Sequence, residues 1–229
     1  MSRFLVWNAI TGLVVMAMLA ACNAGTPASV RAQSSPVPGP AVDAALARTK
    51  GEQSLVVAGG CFWGIQGVFA RVKGVTNATS GYSGGEANTA EYEVVSTGTT
   101  GHAESVSVTY DPSQITYGEL LRVFFSVALD PTELNRQGPD EGTQYRSAIF
   151  YNNDEQKRIA EAYIAQLDRA KVFPGKIVTQ VAPLKAFYAA EGYHQDYFTR
   201  HPNSPYIIYN DAPKVARLKE KFPGLYTGK

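Results

Sequence analysis

The stretch that decides the fold is SLVVAGGCFWGIQGVFARVKG, residues 54–74, where a short apolar run meets two glycines and a cysteine. The run SLVVA is β-branched and ends at the glycines, which is typical of a buried strand. Apolar residues then recur at spacings of three and four from Phe62 to Val72, so this part predicts a helix with one apolar stripe. Gly74 is expected to close that helix.

Cys61 stands at the junction between this strand and this helix. A helix start presents free backbone N–H groups and the positive end of the dipole, and both favour a thiolate, which is the nucleophilic form of cysteine. The adjacent glycines allow close approach of a substrate, and Phe62 and Trp63 are placed to wall a small apolar pocket. The residues alone leave two interpretations open: a reactive thiol, or a small buried hydrophobe beside two core aromatics.

The rest of the chain alternates irregularly between strand and helix patterns. AESVSVTYDP (103–112) alternates as a half-buried strand, and SAIFY (147–151) predicts another. NDEQKRIAEAYIAQLDRAKVF (153–173) predicts the clearest helix, with Asp154 as N-cap, and EGYHQDYFTR (191–200) predicts a short one. We therefore expect an α/β (α+β) fold: a single domain with a mixed β-sheet core flanked by helices.

The N-terminal residues predict export and anchoring rather than folded structure. Residues 1–21 carry one early arginine and an apolar run, as in a secretory signal peptide. The motif LAAC resembles the lipobox of bacterial lipoproteins, which makes Cys22 the lipidated first mature residue. An uncleaved anchor, or a signal cut elsewhere, is the alternative. Residues 22–53 are rich in Ala, Ser and Pro and predict a flexible tether to a domain at 54–229, on the periplasmic or cell-surface side of a bacterial membrane.

The charge balance excludes some classes of partner. The net charge is +1, from 21 basic and 20 acidic residues, without a basic stripe, so we expect no nucleic-acid partner. The three histidines are scattered and no metal-ligand motif occurs, so we expect no metal. Nothing in the sequence demands more than a monomer.

Five motifs in order carry a family resemblance. They are GGCFWG, GYSGG, EYEVVSTGTTGHAESVSVTYDP, PDEGTQYRSAIFY and EGYHQDYF. Over about residues 55–226 the chain closely resembles the A-type peptide methionine sulfoxide reductases. The resemblance implies a ferredoxin-like two-layer sandwich, no bound cofactor, and thiol-dependent reduction of the S epimer of methionine sulfoxide, in oxidised proteins and as the free amino acid.

The resemblance also implies roles for the residues around the cysteine. Cys61 matches the family nucleophile, and Phe62 and Trp63 match the residues that hold the substrate methyl group. Glu104 matches the acid that protonates the sulfoxide oxygen. Strand alternation places Glu104 on the same face as Val106, where desolvation would raise the pKa of its carboxyl group. A frayed strand end in water is the alternative for Glu104.

Further substrate contacts are implied by the same motifs. Tyr92 and Tyr145 match tyrosines that hydrogen-bond the sulfoxide oxygen, and Asp140 matches an aspartate that bounds the substrate pocket. Without the resemblance, Asp140 would be interpreted as a turn residue. Tyr206 is a further candidate pocket tyrosine. His194 also matches a family motif, and we expect a structural role for it.

The cysteine count departs from many members of that family. Those members form a disulfide with C-terminal cysteines, but no cysteine follows Cys61 here, and Gly64 stands where some relatives carry one. We therefore predict a one-cysteine cycle, in which the Cys61 sulfenic acid is reduced directly by an external thiol. A thioredoxin-like protein, a glutaredoxin-like protein and a small thiol are all candidate reductants.

Two other functions are compatible with parts of the sequence. A cysteine hydrolase or acyl transferase would use Cys61 as nucleophile and His102 as base. A non-enzymatic surface lipoprotein would need no reactive thiol. Both leave the motif contexts of Glu104, Tyr92 and Tyr145 without an explanation.

Overall fold

The computed structural model describes residues 37–228, which lie within one compact unit, and the predicted signal peptide and Cys22 lie outside them. The strands are β1 (Gln53–Ala58), β2 (Val75–Ser83), β3 (Ala103–Tyr110), β4 (Arg136–Gln137), β5 (Asp140–Glu141), β6 (Ala148–Tyr151), β7 (Gln180–Pro183) and β8 (Phe187–Ala189). The α-helices are α1 (Phe62–Phe69), α2 (Tyr92–Val95), α3 (Tyr117–Val123), α4 (Asp154–Arg169), α5 (Tyr197–Arg200) and α6 (Ala212–Lys221). Two π-helical turns, Phe124–Ala128 and Ile207–Asp211, extend α3 and precede α6.

One mixed sheet organises these elements. Six strands pair in the order β7-β6-β1-β3-β2-β8, and every pair is antiparallel except β6 with β7. The chain order β1-α1-β2-β3-α3-β6, with spatial order β6-β1-β3-β2, is the ferredoxin-like arrangement. The predicted mixed α/β fold is therefore confirmed. β4 and β5 form a separate two-stranded sheet.

The first helix is shorter than its apolar stripe predicts. Helix α1 ends at Phe69, whereas the stripe continues to Val72. Val72 instead forms an isolated bridge with Tyr226, which draws the chain out of the helix. Gly74 has φ +90° and lies in the turn before β2, so its prediction as the helix stop was wrong.

Strand β3 is buried more deeply than its alternating pattern predicts. It lies between β1 and β2, and Ser105, on its polar face, has no exposed surface. A small second cluster that includes Val56 and Phe150 packs apart from the main core. The Ser105 hydroxyl donates to the Ala103 carbonyl at 2.8 Å, which satisfies a polar group in this setting.

Ordered packing begins well before β1. Val37 is 4% exposed, and the Tyr163 hydroxyl of α4 donates to the Pro38 carbonyl at 2.6 Å. Asp43 accepts hydrogen bonds from the Thr116 hydroxyl and the Gly118 amide at the start of α3. The predicted tether through residue 53 is corrected here, because residues 37–52 contain apolar and polar side chains with specific partners on the domain.

Two predicted helix boundaries also change. Asn153, not Asp154, caps α4, since its side chain accepts from the Gln156 amide. The stretch 191–200 is not one helix: a 3₁₀ turn, Gly192–His194, and α5 are separated by Asp196 at φ 54°. Within residues 37–228, no helix has both the length and the apolar character needed to cross a membrane.

Candidate active site

A small cavity opens where the start of α1 meets the start of strand β3. Its volume is about 190 Å³, below the ~300–1,000 Å³ of sites for drug-sized ligands, so it suits a small group. Its lining residues are Cys61, Phe62, Trp63, Tyr92, Glu104, Asp140, Tyr145 and Tyr206. The fold therefore brings together every residue that the sequence assigned to catalysis or substrate binding, and it places the further candidate Tyr206 beside them.

Cys61 is the N-cap residue of α1 and is 8% exposed. Burial raises the pKa of its thiol well above the ordinary value, and the charges that Glu104 and Asp211 carry when ionised raise it further. The Trp63 amide and the charge of Lys214 lower this pKa, but they are the smaller effects. The helix-start amide thus lowers the thiol pKa, as the sequence predicts, but desolvation has the larger effect and the net direction is upward.

Glu104 lies at the start of β3 and is 3% exposed, so the alternative of a solvated strand end is wrong. The Phe62 amide donates to its Oε2 at 3.1 Å. Burial raises the pKa of Glu104 to about 8 against the lowering effect of that amide, and the charges of Asp140 and Asp211 add to the increase. Glu104 therefore holds its proton at neutral pH and faces the thiol as a neutral acid.

Phe62 and Trp63 form an aromatic wall of the cavity, and neighbouring rings pack against both of them. Trp63 stacks on Tyr197 with ring centroids 3.8 Å apart, and the edge of Tyr206 meets it at 86°. Its indole N–H donates to Nδ1 of His194 at 3.2 Å. Phe62 is 1% exposed, with its ring centroid 5.9 Å from that of Tyr82. The wall beside the thiol is consequently rigid and mostly apolar.

Three tyrosines also line the cavity and bring hydroxyl groups to it. The Tyr206 hydroxyl donates to Oδ2 of Asp140. Burial raises the pKa of Tyr92 and of Tyr145, so both phenols keep their protons and can donate hydrogen bonds. The Tyr145 carbonyl accepts from the Gly60 amide at 3.1 Å, which ties the main chain of Tyr145 to the turn before Cys61.

The sequence did not reveal a buried ion pair behind the first turn of α1. Asp211 has no exposed surface, and Nζ of Lys214 lies 3.1 Å from its Oδ1. A Cβ atom at Gly64 would lie 2.1 Å from that Oδ1 and 2.9 Å from that Nζ. The pair occupies the space of any side chain at position 64, including a second cysteine. The spacing of three residues between Asp211 and Lys214 is typical of an ion pair along a helix, but only the fold places this pair against Gly64.

His102 does not act as a base for Cys61. Its Nδ1 accepts from the Gly85 amide at 3.2 Å, so the proton lies on Nε2, 3.0 Å from the Glu86 carbonyl. Both ring nitrogens are thus used by the loop that follows β2, and His102 does not line the cavity. Across residues 37–228, no group of three or more His, Cys, Asp or Glu side chains is placed to hold a metal ion.

Comparison with known proteins identifies the family. Residues 53–224 match the family model described as peptide methionine sulfoxide reductase. The chain is 62% identical over 179 residues to a Mesorhizobium japonicum protein named peptide methionine sulfoxide reductase MsrA 2, covering 78% of this chain and 92% of that protein. A Synechocystis protein of the same name is 49% identical, covering 82% and 89%.

Solved structures agree with the sequence comparisons. Reduced Mxr1 from Saccharomyces cerevisiae has a TM-score of 0.60 at 33% identity, covering 69% of this chain and 94% of that one. Methionine sulfoxide reductase A of Corynebacterium diphtheriae has a TM-score of 0.58 at 34% identity, covering 68% and 77%. The family match over most of the chain, together with these relatives, shows that the chain belongs to the peptide methionine sulfoxide reductase family.

Proposed function

We propose that this protein reduces the S epimer of methionine sulfoxide, in proteins and as the free amino acid, and that Cys61 and Glu104 carry the reaction. Membership of the family supports methionine sulfoxide as the substrate. The observation that carries the proposal is the pairing of a buried thiol with a protonated carboxyl group in one small aromatic cavity. The reaction needs both groups: a nucleophile for sulfur and a proton donor for oxygen.

The first half-reaction transfers one oxygen atom. The Cys61 sulfur attacks the sulfoxide sulfur while Glu104 donates a proton to the sulfoxide oxygen, because unprotonated oxide is a poor leaving group. The S–H bond of the thiol and the S–O bond of the substrate break while a transient bond joins the two sulfur atoms and the protonated oxygen leaves as water. That S–S bond breaks in turn when water bonds through its oxygen to the Cys61 sulfur and returns one proton to Glu104. Methionine leaves, reduced by two electrons, and Cys61 remains as a sulfenic acid, oxidised by two electrons. Glu104 has thus recovered its proton, and the half-reaction is proton-neutral.

The shape of the cavity supports selection of one epimer. Phe62 and Trp63 form an apolar wall that suits the S-methyl group. Tyr92 and Tyr145 present protonated phenols that suit the oxygen. Because aromatic rings and phenol hydroxyl groups both line the cavity, we expect binding to favour the epimer whose methyl group meets the rings while its oxygen meets the hydroxyl groups.

The second half-reaction requires an external thiol. The sequence contains only Cys22 and Cys61, so no cysteine of the folded domain is available to resolve the sulfenic acid. One external thiol condenses with the sulfenic acid, releasing water and forming a mixed disulfide, and a second thiol then frees Cys61. A thioredoxin-like protein, a glutaredoxin-like protein or a small thiol satisfies this chemistry.

The proposal is tested by mixing the purified protein with dithiothreitol and each pure epimer of methionine sulfoxide in turn, and measuring how much sulfoxide is lost. We expect loss of the S epimer only, and no loss with Cys61→Ser. Without reductant, one turnover should leave one sulfenic acid at Cys61, which dimedone labels, and no intramolecular disulfide. Equal consumption of both epimers, or a Cys22–Cys61 disulfide, would contradict the proposal. Continued acyl transfer without any reductant would instead favour the hydrolase alternative.

We also propose that the protein is anchored outside the cytoplasm through a lipid on Cys22. The lipobox-like LAAC motif after an apolar run supports this assignment. Cells fed labelled palmitate should yield the labelled protein in the membrane fraction. Cys22→Ser should lose the label and release the protein. A labelled Cys22→Ser variant, or an unlabelled wild-type protein, would refute the assignment.

A further inference from the structure

Arg146 does not line the cavity, but its side chain joins two segments that lead into it. Nη1 donates a hydrogen bond to the His102 carbonyl at 3.1 Å, and Nη2 donates to the Gly101 carbonyl at 2.8 Å. Both carbonyls belong to the loop of residues 96–102, which connects α2 to β3. Nη1 also donates to the Thr143 carbonyl at 2.9 Å. One guanidinium group therefore joins the loop before β3 to the 3₁₀ turn that precedes β6.

The two joined segments carry polar groups of the cavity. Glu104 lies two residues after His102, and Tyr145 comes directly before Arg146; both Glu104 and Tyr145 line the cavity. Burial raises the pKa of Tyr145 most, and the charge that Glu104 carries when ionised raises it further, so the two groups are close enough to interact. In the proposed reaction both serve the sulfoxide oxygen, one as proton donor and the other as hydrogen-bond donor.

The sheet does not fix the separation of these two groups. β1 lies between β3 and β6, so β3 and β6 do not pair with each other. The last residue of β1, Ala58, pairs with Ser105 on one side and with Ala148 on the other. Glu104 and Tyr145 lie beyond these last pairs, on either side of the place where the chain leaves the sheet for α1. The guanidinium bridge joins the two sides of that opening.

Two other side chains of the turn contact the same loop at its opposite end. The Thr143 hydroxyl donates to the Gly98 carbonyl at 2.6 Å, and Nε2 of Gln144 donates to the Ser96 carbonyl at 3.1 Å. These contacts lie near α2, whereas those of Arg146 lie where the loop enters β3. Among these three side chains, Arg146 therefore holds the part of the loop next to the acid.

The bridge also requires a glycine in the GYSGG motif. Gly84 has φ +104°, and a Cβ atom there would lie 2.7 Å from Nη2 of Arg146 and 2.9 Å from the Gly101 carbonyl oxygen. Any side chain at position 84 would displace the guanidinium group or the loop that it contacts. This glycine, which the proposed reaction does not use, thus leaves room for the bridge.

We propose that Arg146 is a positioning residue that sets the separation between Glu104 and the Tyr145 hydroxyl by bridging the main-chain segments that carry them. The inference rests on the proposed function and adds a residue to it. Arg146 does not line the cavity, so its loss should slow the chemistry more than it weakens binding. A displacement of about 1 Å between a catalytic group and its target costs up to about a hundredfold in rate.

Single-turnover oxidation of Cys61 by a peptide S-sulfoxide measures the two effects separately. Arg146→Ala should lower the maximal rate about 10- to 100-fold, while the half-saturating peptide concentration changes less than about threefold. Arg146→Lys should also slow the reaction, because one ammonium group cannot span both segments as the planar guanidinium does. Arg217→Ala is the matched control, with a maximal rate like that of the wild type. The Arg217 guanidinium is also partly buried and donates to a main-chain carbonyl, that of Val127 at 3.3 Å.

A double-mutant cycle shows whether Arg146 acts through the acid. Glu104→Gln removes the proton that has to be placed, so Arg146→Ala should slow the reaction much less in that background than in the wild type. Equal losses in both backgrounds, a raised half-saturating concentration with an unchanged maximal rate, or a wild-type rate in Arg146→Lys would overturn the proposal. If the wild-type protein reduces no S-sulfoxide, the proposed function itself fails; if it does and the Arg146 variants match it, this inference alone fails.

Hydrogen exchange gives a readout that does not depend on turnover. In Arg146→Ala the backbone amides of residues 96–102 should exchange faster, because the loop loses the contacts that hold its end. Peptide mass spectrometry measures this, and the amides of α4 should exchange as in the wild type. Unchanged exchange of the loop in a folded Arg146→Ala protein would overturn the proposal. Should Arg146→Ala fail to fold, the maximal rate and the loop exchange of Arg146→Lys decide the same question.

Discussion

The backbone amide of Phe62 donates a hydrogen bond to Oε2 of Glu104 at 3.1 Å. The acid is thereby attached to the residue that follows the nucleophile, although 42 positions separate the two in the chain. The first helical amide is directed to the carboxyl group rather than to the Cys61 sulfur. The contact therefore holds the carboxyl group beside the residue that follows the thiol, while the next helical amide, that of Trp63, bonds to Cys61 and lowers the pKa of its thiol.

Glu104→Gln should make Cys61 more acidic. The Glu104 charge is one cause of the raised thiol pKa, so its removal lowers that pKa, while burial keeps it above the ordinary value. Iodoacetamide labelling of Cys61, quantified by peptide mass spectrometry against pH, should have a lower midpoint in Glu104→Gln than in the wild type. Glu93→Gln, an exposed neighbour of the site, is the control. A midpoint that is unchanged or higher in Glu104→Gln would contradict the electrostatic coupling.

The same substitution should slow sulfoxide reduction. An amide can donate a hydrogen bond but cannot transfer a proton, so the single-turnover rate should fall about 10²- to 10⁴-fold. The half-saturating substrate concentration should change much less, because the shape of the cavity is kept. Stopped-flow measurement of Cys61 oxidation checks this expectation. A rate within a few fold of wild type would exclude Glu104 as the proton donor.

Glu104 should also make folding stability depend on pH. The folded-state pKa of about 8 exceeds the ordinary value of 4.5, so the folded protein binds more protons between these values. The stabilisation of the folded state by protonated Glu104 is fully present below pH 4.5 and is lost as the pH rises through about 8. Urea unfolding at several pH values should show stability falling by up to about 1.4 kcal/mol per pH unit in this window. Glu104→Gln should have a flatter profile, and an equally steep one would refute the assignment.

Gly64→Ala should destabilise the protein and impair the site. The new Cβ atom would lie 2.1 Å from Oδ1 of Asp211, a buried atom that cannot move without breaking its ion pair with Lys214. We expect a loss of about 1 to 3 kcal/mol, measured by urea unfolding, as for overpacking in a core. Gly192→Ala is the control, because its Cβ would meet nothing within 4 Å. Equal stabilities of the two variants would contradict this packing.

Asp43→Ala should loosen the segment that precedes β1. Asp43 accepts from Thr116 and Gly118 at the start of α3, so its loss leaves helix-start donors without an acceptor. We expect a loss of about 1 to 2 kcal/mol and faster proteolysis within residues 37–52. Glu52→Ala, which removes an exposed carboxylate, should match the wild type. Cleavage at an unchanged rate in Asp43→Ala would show that the segment is held by other contacts.

Most of the fold follows from local patterns, and the predictions that failed did so because of contacts between segments far apart in the chain. The strand before Gly59 and the helix after Cys61 are predictable because side-chain periodicity reports which face is buried. The end of α1 was not predictable from the sequence, because Val72 pairs with Tyr226, a residue far away in the chain, instead of continuing the helix. The burial of Ser105 was missed for a similar reason, since alternation cannot tell a central strand from one with a solvent-exposed face.

The sequence by itself determined the mixed α/β fold, the position of a lone cysteine at a strand–helix junction, and the motifs whose residues line the cavity. Only the tertiary structure decided the proton states of Cys61 and Glu104, the acceptor for Trp63, and the filling of the space beside Gly64 by Asp211. The physical reason is that these properties arise from desolvation and from contacts between residues far apart in the chain. Periodicity and composition carry information about each segment, but they do not show which segments come together around the same cavity.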